Sequence, residues 1–164
     1  MDTAASPLLT DLYQINMIQA YLDHGDTDTA VFELFMRSLP ARRGFLLAAG
    51  LEQALDFLEN LRFSAADIDW LKNTGRFNKN LLDYLGDFRF SGDVHAMAEG
   101  TVFFATEPIL RITAPLPQAQ LVESRLINIL HFQSLIAAKA ARCVLAAPGK
   151  LLVDFGMRDR KSVV

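Results

Sequence analysis

The chain has 164 residues, 51% of them hydrophobic and 21% charged, with a formal net charge of −3. That length fits one ordinary domain, or a domain with the start of another, and can bury a real core. The mild acidity excludes a global field drawing the chain to nucleic acid or an anionic membrane, and the single cysteine, Cys143, excludes an internal disulfide.

No N-terminal stretch has the order of a signal peptide, and Lys139 and Arg142 interrupt the longest apolar region. A membrane span is therefore not expected, and a cytoplasmic protein is the default.

Ser6-Pro7 reads as the N-cap and first position of a helix that His24-Gly25 ends. Leu8, Leu12, Ile15, Ile18 and Leu22 supply its apolar stripe. Tyr13 falls at the edge of that stripe, and Asp11 is expected to be solvated beside it. Residues 30–37 alternate as a strand, with Phe32, Leu34 and Met36 on one face and Val31, Glu33 and Phe35 on the other. A buried Glu33 would need a partner. Pro40-Ala41-Arg42-Arg43-Gly44 is a turn whose arginines read first as solvated.

Residues 51–61 form an amphipathic pattern, with Leu51, Leu55 and Leu58 on one face. Ser64 then caps a shorter helix, with Asp67 completing a capping box and Gly75 after its end. Residues 78–85 are another short helix. Trp70 is expected in the core. Three short strands are expected at 93–98, 101–104 and 109–113, with Glu99-Gly100 at a hairpin turn between the first two.

Pro115-Leu116-Pro117 begins a long helix that runs to about Ala146, roughly 40 Å at the standard rise, and apolar on more than one stripe. Pro148-Gly149 stops it. Leu151-Leu152-Val153 then reads as a buried parallel strand leading into Asp154-Phe155-Gly156-Met157-Arg158. In α/β folds ligands sit outside the carboxyl ends of such strands. Phe155 would offer a flat surface for a ring, and Arg158 a fork for phosphate or carboxylate. The order of elements predicts α+β packing, with a βα unit beginning at the end.

Common chemical signatures are missing. There is no Walker-type loop and no Gly-x-Gly-x-x-Gly. His24, His95 and His131 are not at ligand spacing with one another or with Cys143, so no metal site is expected within the chain. His131 reads as a satisfied core histidine, and Cys143, despite Arg142 beside it, as filler.

Five stretches in register carry more. They are Leu8-Leu9-Thr10-Asp11-Leu12-Tyr13-Gln14; Val31-Phe32-Glu33-Leu34-Phe35 with Arg43-Gly44-Phe45-Leu46 and Ala49-Gly50-Leu51; Glu99-Gly100-Thr101-Val102-Phe103-Phe104 with Glu107-Pro108-Ile109-Leu110-Arg111; Leu126-Ile127-Asn128-Ile129-Leu130 with Phe132-Gln133-Ser134 and Lys139-Ala140-Ala141-Arg142; and Asp154-Phe155-Gly156-Met157-Arg158. Through them the chain resembles the nicotinate phosphoribosyltransferases from Leu8 to Arg158.

The resemblance implies an N-terminal α+β domain of a type II phosphoribosyltransferase over residues 1–116. A long helix and the first strand of an α/β barrel would follow over 117–158. It implies glycosyltransferase- or ligase-type chemistry: nicotinate joins phosphoribosyl pyrophosphate, giving nicotinate mononucleotide and pyrophosphate with ATP hydrolysis, the entry of nicotinate into NAD synthesis. By the same resemblance Tyr13 and Phe155 clamp the pyridine ring, Asp11 lies at the same pocket, and Arg158 meets the phosphates. Tyr13 would reach the pocket of a neighbouring subunit in a homodimer. Mg²⁺ and ATP belong to the full-length enzyme, and its catalytic residues are expected beyond Arg158.

One departure stands out. The family continues after Arg158 with a second arginine, a small residue, a polar residue and glycine, whereas here Asp159-Arg160-Lys161-Ser162-Val163-Val164 follows. Residues 159–164 are expected to be a non-native tail, since they can be back-translated to the start of a common sequencing adapter. The piece is expected to be inactive alone and, with one helix face uncovered, to self-associate. The alternatives are a nicotinamide- or quinolinate-using relative and a non-catalytic domain that dimerises through its helices.

Overall fold

In a computed structural model, residues 6–39, 41 and 43–153 are described. Alternating side chains make β1 (Thr29–Phe35), whose Ala30, Phe32 and Leu34 are half-buried while Val31, Glu33 and Phe35 face solvent. The other strands are β2 (Leu46–Leu47), β3 (Asp93–Ala96), β4 (Val102–Phe103) and β5 (Pro108–Pro115). The helices are α1 (Leu12–His24), α2 (Leu51–Asn60), α3 (Ala65–Asn73), α4 (Lys79–Gly86) and α5 (Leu116–Ala146). One sheet has the order β1-β5-β3 and the other pairs β2 with β4, all antiparallel. The architecture is α+β, as expected.

β5 is central. Its Leu110, Ile112 and Ala114 are buried, and Arg111 on the opposite face sits across from Glu33 of β1 and His95 of β3. Glu33 finds its partner there: the Arg111 Nε and Nη2 both donate to Glu33 Oε1, at 2.8 and 2.6 Å. Gly92 leads into β3, where no larger residue fits: an added Cβ would lie 2.5 Å from the Ala114 Cβ and 2.7 Å from the Thr113 carbonyl.

α5 is the spine. It packs on α1, α2, β1, β2 and β5, burying Leu121, Val122, Leu126, Ile129, Leu130, Ser134 and Ala138. By length and composition it could cross a membrane, and Lys139 and Arg142 do not prevent that. Its stretch from Pro117 to Ser134 is instead committed to protein, since it carries buried Gln120 and Ser134 on the side that meets the other elements.

The capping box of α3 forms as expected, with Ser64 Oγ accepting from the Asp67 amide and the Asp67 side chain accepting from the Ser64 amide. Gly25 ends α1 in the left-handed conformation.

Several expectations are corrected. α1 begins at Leu12, because Ser6 caps a separate turn: its Oγ accepts from the Leu8 amide at 3.3 Å and its carbonyl from the Leu9 amide at 3.1 Å. Asp11 then occupies the N-cap position with extended backbone. Leu12 is exposed, and the buried stripe runs through Gln14, Ile15 and Ile18. In α2 the buried residues are Ala54 and Leu58, which turns Leu55 outward.

Trp70 is 60% exposed, one helical step round from the fully buried Leu71. His131 is exposed for the same reason, one step from buried Leu130. β4 pairs with β2 rather than β3, so Glu99-Gly100 is not a hairpin turn. Leu151-Leu152-Val153 is exposed rather than buried, with Leu151 at 90%, and among the described residues no strand lies beside it; the rest of the expected strand end, residues 154–158, lies outside the described residues.

Two outcomes follow. Burial pushes the Tyr84 phenol up from 10.0 to about 12. The folded chain therefore keeps a proton that the unfolded chain releases, so this contribution is full below pH 10 and is lost as pH rises towards 12. Denaturant melts between pH 9 and 12 should show Tyr84→Phe losing less stability than the parent over that window. Phe132, Ile136, Val144 and Leu145 leave one face of the far half of α5 uncovered. Light scattering on purified chain should show concentration-dependent association; a single monomeric species at all concentrations would contradict it.

Candidate functional site

The sequence pointed to the start of α1, and there the structure places a polar junction against α5. Gln14 is completely buried, and its side-chain amide has to find partners. Its Nε2 has two protons and three oxygens within reach: the Tyr13 hydroxyl at 2.8 Å, Glu123 Oε2 at 2.9 Å and Ser124 Oγ at 3.0 Å. Its Oε1 accepts from Gln120 Nε2. Gln120, also buried, donates to Glu123 Oε2 at 3.1 Å and accepts at Oε1 from the Tyr21 hydroxyl at 3.1 Å. Ser124 Oγ donates to Asp11 Oδ2 at 2.6 Å.

Asp11 and Tyr13 are thus brought together by one network, although both are exposed and Tyr13 is 48% exposed. The network holds each by one contact: Asp11 through Ser124, Tyr13 through Gln14. Beside it, Leu9, Thr10, Asp11, Ser124, Arg125 and Asn128 line a cleft of about 280 Å³. Arg125 Nη1 donates to Asn128 Oδ1 at 2.8 Å, so the cleft carries a cation and an amide opposite the Asp11 carboxylate. Such walls suit a small polar ligand with both donor and acceptor atoms. Phe155 and Arg158 lie outside the described residues.

A second junction lies further along α5. Gly50 stands at the N-cap of α2 with φ +99, where a Cβ would meet Gln133 at 3.0–3.1 Å and Ile129 at 3.3 Å. No side chain of the local segment caps α2. Glu99 does so from 49 residues away: its Oε1 accepts from the Gly50 amide at 2.8 Å and the Leu51 amide at 2.6 Å. The Ala49 amide donates to the buried Ser134 Oγ at 3.3 Å. Glu99-Gly100, Ala49-Gly50-Leu51 and Gln133-Ser134, scattered in sequence, therefore meet in space.

Sequence reasoning missed Gln120, Glu123 and Ser124 and left Gln14 without a role. A signal was present. Gln14 lies on the Ile15–Ile18 stripe, where a polar residue must be partnered, and Gln120, Glu123 and Ser124 share one helical ridge at spacings of three and four. Among the described residues no group of three or more His, Cys, Asp or Glu gathers to hold a metal ion.

Comparison with known proteins agrees on one family. A family model described as nicotinate phosphoribosyltransferase N-terminal domain matches residues 8–131. A nicotinate phosphoribosyltransferase of Mycobacterium tuberculosis is 48% identical over 151 residues, covering 92% of this chain and 33% of that protein. The Bacillus subtilis nicotinate phosphoribosyltransferase is 42% identical over 152 residues, with 92% and 31% covered. The crystal structure of human nicotinic acid phosphoribosyltransferase superposes with a TM-score of 0.82 at 36% identity, covering 92% of this chain and 31% of that one. A nicotinate-nucleotide pyrophosphorylase from Pyrococcus furiosus shares the fold, with a TM-score of 0.66 at 22% identity, covering 89% and 30%. The chain spans about a third of the length of these relatives.

The cap that Glu99 supplies to α2 can be removed cleanly. Glu99→Ala should destabilise the chain by about 1 kcal/mol, lowering its melting temperature by about 3 °C. Glu99→Gln, which keeps an accepting oxygen, should recover most of that in the same calorimetric scan.

Proposed function

The chain belongs to the nicotinate phosphoribosyltransferase family, and from that premise we propose that it is the N-terminal part of an enzyme that joins nicotinate to phosphoribosyl pyrophosphate. The products are nicotinate mononucleotide and pyrophosphate, the reaction is coupled to ATP hydrolysis, and it feeds NAD synthesis in the cytoplasm. The observation that carries this reading is the ordered placement of Asp11 and Tyr13 by α5, within the residues that match the family's N-terminal domain.

In this reading Tyr13 covers one face of the pyridine ring and Phe155 the other, Asp11 borders the ring, and Arg158 meets the phosphates. Tyr13 serves the pocket of a second subunit, so the working unit is a homodimer. The exposure of Tyr13 supports that assignment, because a ring held at its hydroxyl from below leaves its face for a partner or a ligand. Mg²⁺ and ATP enter as co-reactants of the whole enzyme. Nicotinamide or quinolinate as substrate has less support, because the 36–48% identical relatives carry the nicotinate name.

The test is a chimera in which residues 8–153 replace the matching third of the Mycobacterium tuberculosis relative. With phosphoribosyl pyrophosphate, ATP and Mg²⁺ it should form nicotinate mononucleotide, and should leave nicotinamide and quinolinate unused. The 164-residue chain alone should form no product. Tyr13→Ala in the chimera should lower kcat/KM for nicotinate by about a hundredfold, on the order of 2.7 kcal/mol of transition-state stabilisation. A folded chimera indifferent to Tyr13, or one that prefers nicotinamide, would overturn the reading.

A further inference from the structure

The direction of each hydrogen bond in the α1–α5 junction has a single source. As a carboxylate, Glu123 can only accept. Gln14 Nε2 and Gln120 Nε2 both approach the same oxygen, Glu123 Oε2, at 2.9 and 3.1 Å. Flipping either amide would set its carbonyl oxygen against that carboxylate, so both amides are fixed with NH₂ towards it. Gln14 Oε1 must then accept from Gln120, and Gln120 Oε1 from the Tyr21 hydroxyl.

The consequence reaches Tyr13 and Asp11. Because the group that Gln14 turns to the Tyr13 hydroxyl is an NH₂, which cannot accept, the phenolic proton cannot be spent on Gln14. Because Gln14 Nε2 also reaches Ser124 Oγ, the Ser124 proton is left for Asp11 Oδ2. The Asp11 carboxylate is held at one oxygen, and its other oxygen carries no bond within the network.

We propose that Glu123 is a positioning residue: it polarises the buried Gln14–Gln120 pair so that the Tyr13 hydroxyl keeps its own proton to donate and Asp11 presents a carboxylate acceptor. It touches neither residue directly and acts through Gln14 and Ser124. Its value to the reaction rests on the reading of Asp11 and Tyr13 as substrate-binding residues. The matching ligand chemistry is a small ring bearing an acceptor for the phenol, with the Asp11 carboxylate facing the charge the ring gains once its pyridine nitrogen is substituted.

The full chain labelled with 3-fluorotyrosine tests this without any substrate. It has three tyrosines, and Tyr13→Phe identifies the resonance of interest. In the parent, the Tyr13 fluorine should resonate away from the free amino acid. In Glu123→Gln, whose amide can face either way, that resonance should move at least halfway to the free position, while the melting temperature falls by no more than a few degrees. An unmoved Tyr13 resonance in a folded Glu123→Gln chain would overturn the proposal.

Should Glu123→Gln fail to fold, Gln14→Met decides. It fills the same space without a donor and should move the Tyr13 resonance; no movement would be the overturning result. Because this readout is taken without nicotinate, it stands or falls apart from the chimera assay: a chimera that ignores nicotinate sinks the substrate reading, and a silent fluorine resonance sinks the positioning role.

Discussion

A buried amide left without partners costs about 1–3 kcal/mol, and this chain buries two of them face to face, on α1 and α5. That constraint fixes the geometry between the two helices more tightly than apolar packing alone would. Ile15 and Ile18 could slide against a ridge of leucines at small cost, whereas Gln14 and Gln120 satisfy each other in one register only. The exposed end of α1 inherits that register. Asp11 and Tyr13 sit in solvent, yet they are tied to a pair of amides buried in the interior.

The same helix organises the rest. α5 meets α1 through its Gln120–Ser124 stretch and the Ala49-Gly50 segment through Gln133 and Ser134, about three turns further along. Between them Leu126, Ile129 and Leu130 are buried in the core. Stretches that look independent along the chain are therefore the two ends of one rigid ruler. Their spacing in the fold is set by helical rise.

Much of the architecture was legible in the sequence because its signals are local. The Ser64–Asp67 capping box, the stop at Gly25, the alternation through Phe32 and Leu34 and the run of α5 all rest on residues within a turn of one another. What was illegible depends on what lies opposite. Trp70 and Leu71 are equally apolar, and only packing shows which faces inward. Glu99 looks like a turn residue until β4 is found paired with β2, which frees its carboxylate for a helix whose sequence begins 48 residues earlier. At the candidate site the resemblance names Asp11 and Tyr13, and the Gln14 and Ser124 side chains tie both into one network, but the residues that anchor that network come from α5 and carry no motif of their own.

Glu99 has one more consequence. The first amides of a helix, with the positive end of its dipole, make a ready receptor for phosphate. In α2 that receptor is already filled by the chain's own carboxylate, which accepts from Gly50 and Leu51. The glycine-led start of α2 would otherwise compete for any phosphorylated molecule near the fold. With Glu99 seated there it is electrostatically closed to anions.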